Sequence, residues 1–243
     1  MTKTIHESVS EEKGFTLVEL AIVMVIIGLL IGGILKGQEM INNAQVSATI
    51  AQMKGIDAAT STFRDMYDAL PGDITNPGTR LVNCTAAPCN TAGNGNSVLT
   101  NAPGSVANEN LSFWSHLNAA DLLTGIDGSA TTAWGFGVPA TKVGGGLTVG
   151  YTANGALTNG YGTGRGGHWL MLQGVPGTAA STVLEPGQAA RIDRKMDDGA
   201  PNTGSVISSG AAVGATSCSS AAGVYNEAAN PDGACALSTR IQG

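Results

Sequence analysis

Three groups of residues have types and spacings that could do chemistry. The first is a lone carboxylate, Glu19, inside the otherwise uncharged run Phe15 to Leu35. The second is Asp193, Asp197 and Asp198, with Asn202 a few residues beyond. Asp193 and Asp197 stand four apart, on one face of a helix, and hard oxygen donors of this kind could hold calcium. Their spacing is not that of an EF-hand, and the alternative reading is a solvated helix end closed by a tight turn. The third is four cysteines in two local pairs, Cys84 with Cys89 in "CTAAPC" and Cys218 with Cys235. An even number so spaced reads as two disulfides, although four cysteines permit three connectivities. A metal centre would need shorter Cys pairs or nearby histidines, and His6, His116 and His168 lie far along the chain from any such pattern. Disulfides place that part of the chain in an oxidising compartment.

Other chemistry is not visible. There is no G-x-S-x-G elbow and no H-E-x-x-H. Gly162, Gly164 and Gly167 form a formal G-x-G-x-x-G, but "HWLML" after it is strand-like where a dinucleotide site needs a helix, so a turn is expected. The chain is therefore expected not to be an enzyme, and calcium is the one cofactor its residues suggest.

The elements that carry these groups follow from hydrophobic pattern. The run at Phe15 to Leu35 is long enough to cross a hydrocarbon core of about 30 Å as a helix. A secretory signal would end in a small-x-small cleavage site, and "GILKGQ" from Gly33 offers none, so the helix is expected to stay in the mature chain. Lys13 next to the run favours an N-terminus on the cytoplasmic side, which agrees with disulfides on the far side. Beyond Lys36, Ile41, Ala44, Ala48, Ala51, Ile56, Ala59, Phe63, Met66 and Leu70 recur every three or four residues, an amphipathic pattern that Pro71-Gly72 should stop. If continuous from Phe15, this helix is roughly 80 Å long.

The segment "KGFTLVE", Lys13 to Glu19, resembles the processing site of type IV pilins and pseudopilins. That resemblance implies cutting between Gly14 and Phe15 by a prepilin peptidase, N-methylation of Phe15, and a role for Glu19 in assembly, meeting the terminal ammonium of a neighbouring subunit. It also implies insertion in the bacterial inner membrane with the N-terminus cytoplasmic, partnership with further copies and other pilin-like subunits, and an inner-membrane assembly platform. Three segments are then expected: a leader at 1–14, a long helix at 15–70 whose part 15–36 spans the membrane, and a polar head at 71–243. Many major type IV pilins carry a proline within the helix. None stands between Phe15 and Leu70, which leaves Gly28, Gly32, Gly33 and Gly37 as bending or close-packing points.

The head reads as α+β, a small antiparallel sheet with Gly-rich loops packed on the long helix. "LSFWSHLNAADLLTG", Leu111 to Gly125, is expected to be a helix with Phe113, Trp114, Leu117 and Leu122 inward, His116 at the surface and Gly125 as its stop. "LTVGYTA" and "HWLMLQGV" form a hairpin, and Pro186 opens a helix whose face is Ala189, Ile192 and Met196, ending at Asp198-Gly199. The 243 residues carry 35 glycines, only 12 Lys and Arg, and a net charge of −6, so no basic stripe invites nucleic acid. The functions expected are a type IV pilus-like filament subunit, a pseudopilin of a type II secretion system, or a minor tip subunit that binds or adheres.

Overall fold

The computed structural model describes residues 14–154, 165–178, 181–210, 218–220, 223–228 and 234–241. The leader residues 1–13, with His6 and Lys13, and Gly162 and Gly164 of the G-x-G-x-x-G match, lie outside these. The chain divides into two units, one ending at Asn43 and one beginning at Ala44.

Helix α1 runs unbroken from Leu17 to Tyr67. In the first unit its side chains are uncovered. Leu17 is 86% exposed, Leu29 74% and Met24 71%, and none of its most apolar 18-residue stretch is buried. A soluble core helix would hide these groups, so the pattern is that of a membrane helix. The helix ends three residues before Leu70: Asp68 takes a left-handed φ of 45°, its amide donates to the Arg64 carbonyl, and the Arg80 guanidinium donates to the carbonyl of Tyr67. A cation at that end also suits the helix dipole.

In the second unit, α1 buries Val46, Thr49, Ile50, Met53, Ile56, Ala59, Thr60 and Phe63. This keeps Ile56, Ala59 and Phe63 of the expected face and corrects the rest of it. Ile41, Ala44, Ala48, Ala51 and Met66 are exposed, because Val46, Ile50 and Met53 offer more apolar area for burial than the alanines one face over. The Lys195 ammonium donates to the Ser47 hydroxyl at 3.0 Å, and the Gln52 amide to the Ala140 carbonyl at 2.9 Å.

Against this face lies a four-stranded antiparallel sheet: β1 (Gly146–Thr152), β2 (Gly167–Gln173), β3 (Val206–Gly210) and β4 (Cys235–Arg240), in the order β1-β2-β4-β3. The β1–β2 hairpin is the one expected from sequence. Strand alternation puts Leu147, Val149, Leu170, Leu172 and Leu237 into the core with Phe63 and Trp114. Both outer edges are closed. On β1, Leu147 and Tyr151 donate to the carbonyls of Pro139 and Asn101, and the Asn110 amide donates to the Val149 carbonyl. On β3, the Asp197 carboxylate receives the amides of Ser205 and Val206, and Ser208 donates to the Pro201 carbonyl.

A short helix α2 (Pro77–Arg80) precedes α3 (Glu109–Ala119), which is buried from Glu109 to Leu117. It ends earlier than Gly125. Asp121 adopts φ 57°, the Asp121 amide donates to Asn118 and the Leu122 amide to Leu117, a Schellman closure with aspartate in the place usually held by glycine. Leu122 is only half-buried. Helix α4 (Pro186–Met196) begins with Pro186 in its first turn, as expected, and a capping box between Glu185 and Gln188.

Candidate functional site

The first candidate lies where α1 begins. Thr16 precedes the first helical residue, and Glu19 is the third residue of the helix. The Thr16 amide donates to Glu19 Oε2 at 2.9 Å and the Thr16 hydroxyl to the same oxygen at 2.8 Å, while the Glu19 amide donates to Thr16 Oγ1 at 3.3 Å. This reciprocal pairing is a capping box, which satisfies backbone donors that no helical carbonyl can reach. Its signal, Thr-x-x-Glu before an apolar run, is present in the sequence. The lone acid therefore has a local partner and sits at the positive end of the helix. Phe15 is 85% exposed. A Cβ added at Gly14 would meet nothing within 4 Å, and the same holds at Gly28, Gly32, Gly33 and Gly37. No contact within the described chain requires glycine at these positions.

The second candidate is the acidic group at the end of α4. One carboxylate oxygen from each of Asp193, Asp197 and Asp198 lies within 4.8 Å of the others. Asp193 is fully buried, and Asp197 caps the helix. Each carboxylate is engaged by the surrounding chain. Asp193 accepts from the Tyr225 hydroxyl at 2.7 Å and the Gly199 amide at 3.2 Å. Asp198 accepts from the Ala200 amide at 2.9 Å and the Thr203 hydroxyl at 2.6 Å. Asp197 holds the start of β3, where Gly204 (φ 81°) permits the approach: a Cβ there would lie 1.8 Å from Asp197 Oδ2. Asn202 is exposed, and its side-chain amide lies against Gly223.

Burial pushes the Asp193 carboxyl up to about 6, and burial together with the Asp193 charge raises the Tyr225 hydroxyl. The Thr203 hydroxyl and Ala200 amide hold Asp198 below its ordinary value. Hard oxygens converge here, yet N–H and O–H donors point their positive hydrogens at them. In this conformation the group fits a hydrogen-bonded turn, and a calcium ion would have to compete with those donors for its six to eight oxygens.

The third candidate is the cysteine pairs. Cys84 is bonded to Cys89 and Cys218 to Cys235, both within the head. His116, expected at the surface, is buried beside the first bridge. Its Nδ1 accepts the Gly72 amide at 2.8 Å and its Nε2 lies 2.8 Å from the Cys89 carbonyl, so the neutral Nε2–H form spans the two. The fold thus brings together a histidine and two cysteines that are distant in sequence, but the sulfurs are joined to each other and the histidine lone pair is taken. Burial lowers His116 to about 4, and burial with the charge of Arg64 lowers His168 likewise to about 4.

Around His116, α3 turns polar side chains to the long segment before it. Glu109 accepts from the amides of Asn94 and Thr100, and Asp73 from those of Asn94, Gly95 and Ser97. The Asn110 amide group donates to the carbonyls of Asn101, Ala102 and Val149. These are ties that hold loops, because each buried carbonyl or amide needs a partner.

Residues 10–35 match the prokaryotic N-terminal methylation motif, the hallmark of type IV pilins and pseudopilins. No curated protein and no solved structure matches the chain. The matched segment contains Gly14, Phe15 and the capping box, and it supports a pilin- or pseudopilin-like protein whose N-terminal helix is long and apolar enough to cross a membrane.

Proposed function

We propose that the protein is a structural subunit of a type IV pilus-like filament, cut between Gly14 and Phe15, N-methylated on Phe15 and assembled through α1. The observation that carries this reading is the methylation motif at residues 10–35 running into a helix whose apolar side chains are uncovered. Two features support it. Each glycine in a helix interior costs about 1 kcal/mol relative to alanine, and Gly28, Gly32, Gly33 and Gly37 have no contact among the described residues that explains it. Close approach of sister helices is a use that fits them, since small residues let backbones meet. Gly14 likewise has open space around it, so its requirement lies with the peptidase that reads it.

The sequence of events is physical rather than chemical. The subunit waits in the inner membrane with its N-terminus cytoplasmic, is cut and methylated, and passes to an inner-membrane platform that adds it to other pilin-like subunits. Glu19 leaves lipid headgroups for a protein interior, where a carboxylate without a cation is strongly disfavoured, and the Phe15 ammonium of a neighbour supplies the charge. The helix without a proline favours a second reading, a pseudopilin of a type II secretion system, with the same processing and a shorter filament. Mass spectrometry of the mature chain should give an N-terminal methyl-Phe15. Glu19→Ala should be cut normally yet be lost from sheared filaments; normal incorporation of that variant would defeat the pairing.

A further inference from the structure

We infer that Thr16 is the positioning residue for Glu19: it holds one carboxylate oxygen, Oε2, against the start of α1, so that the other, Oε1, is presented to the incoming ammonium. This rests on the assembly reading above and adds to it a residue and a division of labour. Both donors from Thr16, the amide at 2.9 Å and the hydroxyl at 2.8 Å, fall on Oε2. The Glu19 amide returns a bond to Thr16 Oγ1, which closes the ring and fixes the hydroxyl rotor.

The consequence is different on the two sides of assembly. Before assembly, a glutamate side chain near the headgroup edge is free to turn toward water, and fixing it later costs side-chain entropy. A capped glutamate has lost that freedom already, so a neighbour's ammonium meets an oriented acceptor. The capping bonds leave Oε1 for the cation, so cap and ion pair coexist on one carboxylate. Removing the Thr16 hydroxyl leaves the amide bond but releases the rotor, whereas serine keeps the hydroxyl and loses only a methyl.

The test uses the full chain in its host and in liposomes. Thr16→Val should be cut and methylated like wild type, and its incorporation into filaments should fall about tenfold, the worth of a hydrogen bond to a charged group. Thr16→Ser should restore incorporation. In a Glu19→Ala background, adding Thr16→Val should change incorporation no further. In liposomes, hydrogen exchange at the Thr16 amide should be slow in wild type and fast in Glu19→Ala. Thr16→Val assembling as well as wild type, serine failing to rescue, or equal exchange in wild type and Glu19→Ala would each overturn the inference. The liposome measurement does not depend on a filament, so a protected Thr16 amide with no wild-type filament formed would count against the assembly reading and leave the capping box standing.

Discussion

At the scale of single residues, buried polar groups decide how the head is held. Asn110 is fully buried, and its side-chain amide serves three carbonyls while its Oδ1 accepts the Asn101 amide at 3.3 Å. The carbonyls of Asn101 and Ala102 also receive the amides of Tyr151 and Ser105, so Asn110→Leu would orphan chiefly the Val149 carbonyl and the Asn101 amide, at a cost of about 1 to 3 kcal/mol. Urea unfolding of the two proteins in the same detergent should show that loss, and equal midpoints would mean that the Val149 carbonyl and the Asn101 amide find other partners. The acidic group makes a second residue-scale prediction. Because amides and hydroxyls already point at Asp193, Asp197 and Asp198, calcium in excess of chelator should leave the melting temperature unchanged; a rise would show that the ion displaces them. Little of this was legible in the sequence. The Thr16 partner of Glu19 is legible as Thr-x-x-Glu before an apolar run, but the donors of the Asp group are largely backbone amides and hydroxyls, which have no distinctive sequence signature. His116 was misplaced for the same reason: its partners, Gly72 and Cys89, lie 44 and 27 residues away.

At the scale of elements, the long helix, the β1–β2 hairpin and α4 were readable, because each has a period or a cap in its own residues. Strands β3 and β4 were not. β3 has two adjacent apolar residues followed by serines, and β4 is central, so its Ser238 is buried as fully as its Leu237 and alternation disappears. The edge of β3 also depends on a residue outside the strand. Asp197 receives the amides of Ser205 and Val206, and Val206 is fully buried. Asp197→Ala should cost about 1 to 3 kcal/mol, speed hydrogen exchange at those two amides, and, by opening a strand edge, promote self-association visible in light scattering. Unchanged exchange at Ser205 and Val206 would show that the carboxylate is not what closes the edge.

At the scale of the whole molecule, stability depends on pH through groups of opposite sign. His116 and His168, at about 4 in the fold, cannot take the protons that unfolded imidazoles bind below about 6.5. Their contribution is complete above that value and is lost as pH falls toward 4. Asp193, at about 6 in the fold, keeps a proton that the unfolded carboxyl releases near 3.8; its contribution is present at low pH and is lost as pH rises through 6. Two imidazoles oppose one carboxyl, so the denaturation midpoint should fall between pH 6.5 and 4.5. Asp193→Asn should steepen that fall by removing the opposing group, and a flat wild-type profile would show that the histidines do not titrate as their burial requires. One further consequence concerns Gly14. A Cβ there would meet nothing within 4 Å among the described residues, so under the proposed processing the head and the cleavage signal answer to separate judges, one being the protein's own packing and the other a foreign enzyme. On the proposed assembly, such a chain could change the surface of its head without altering the segment that carries the methylation motif.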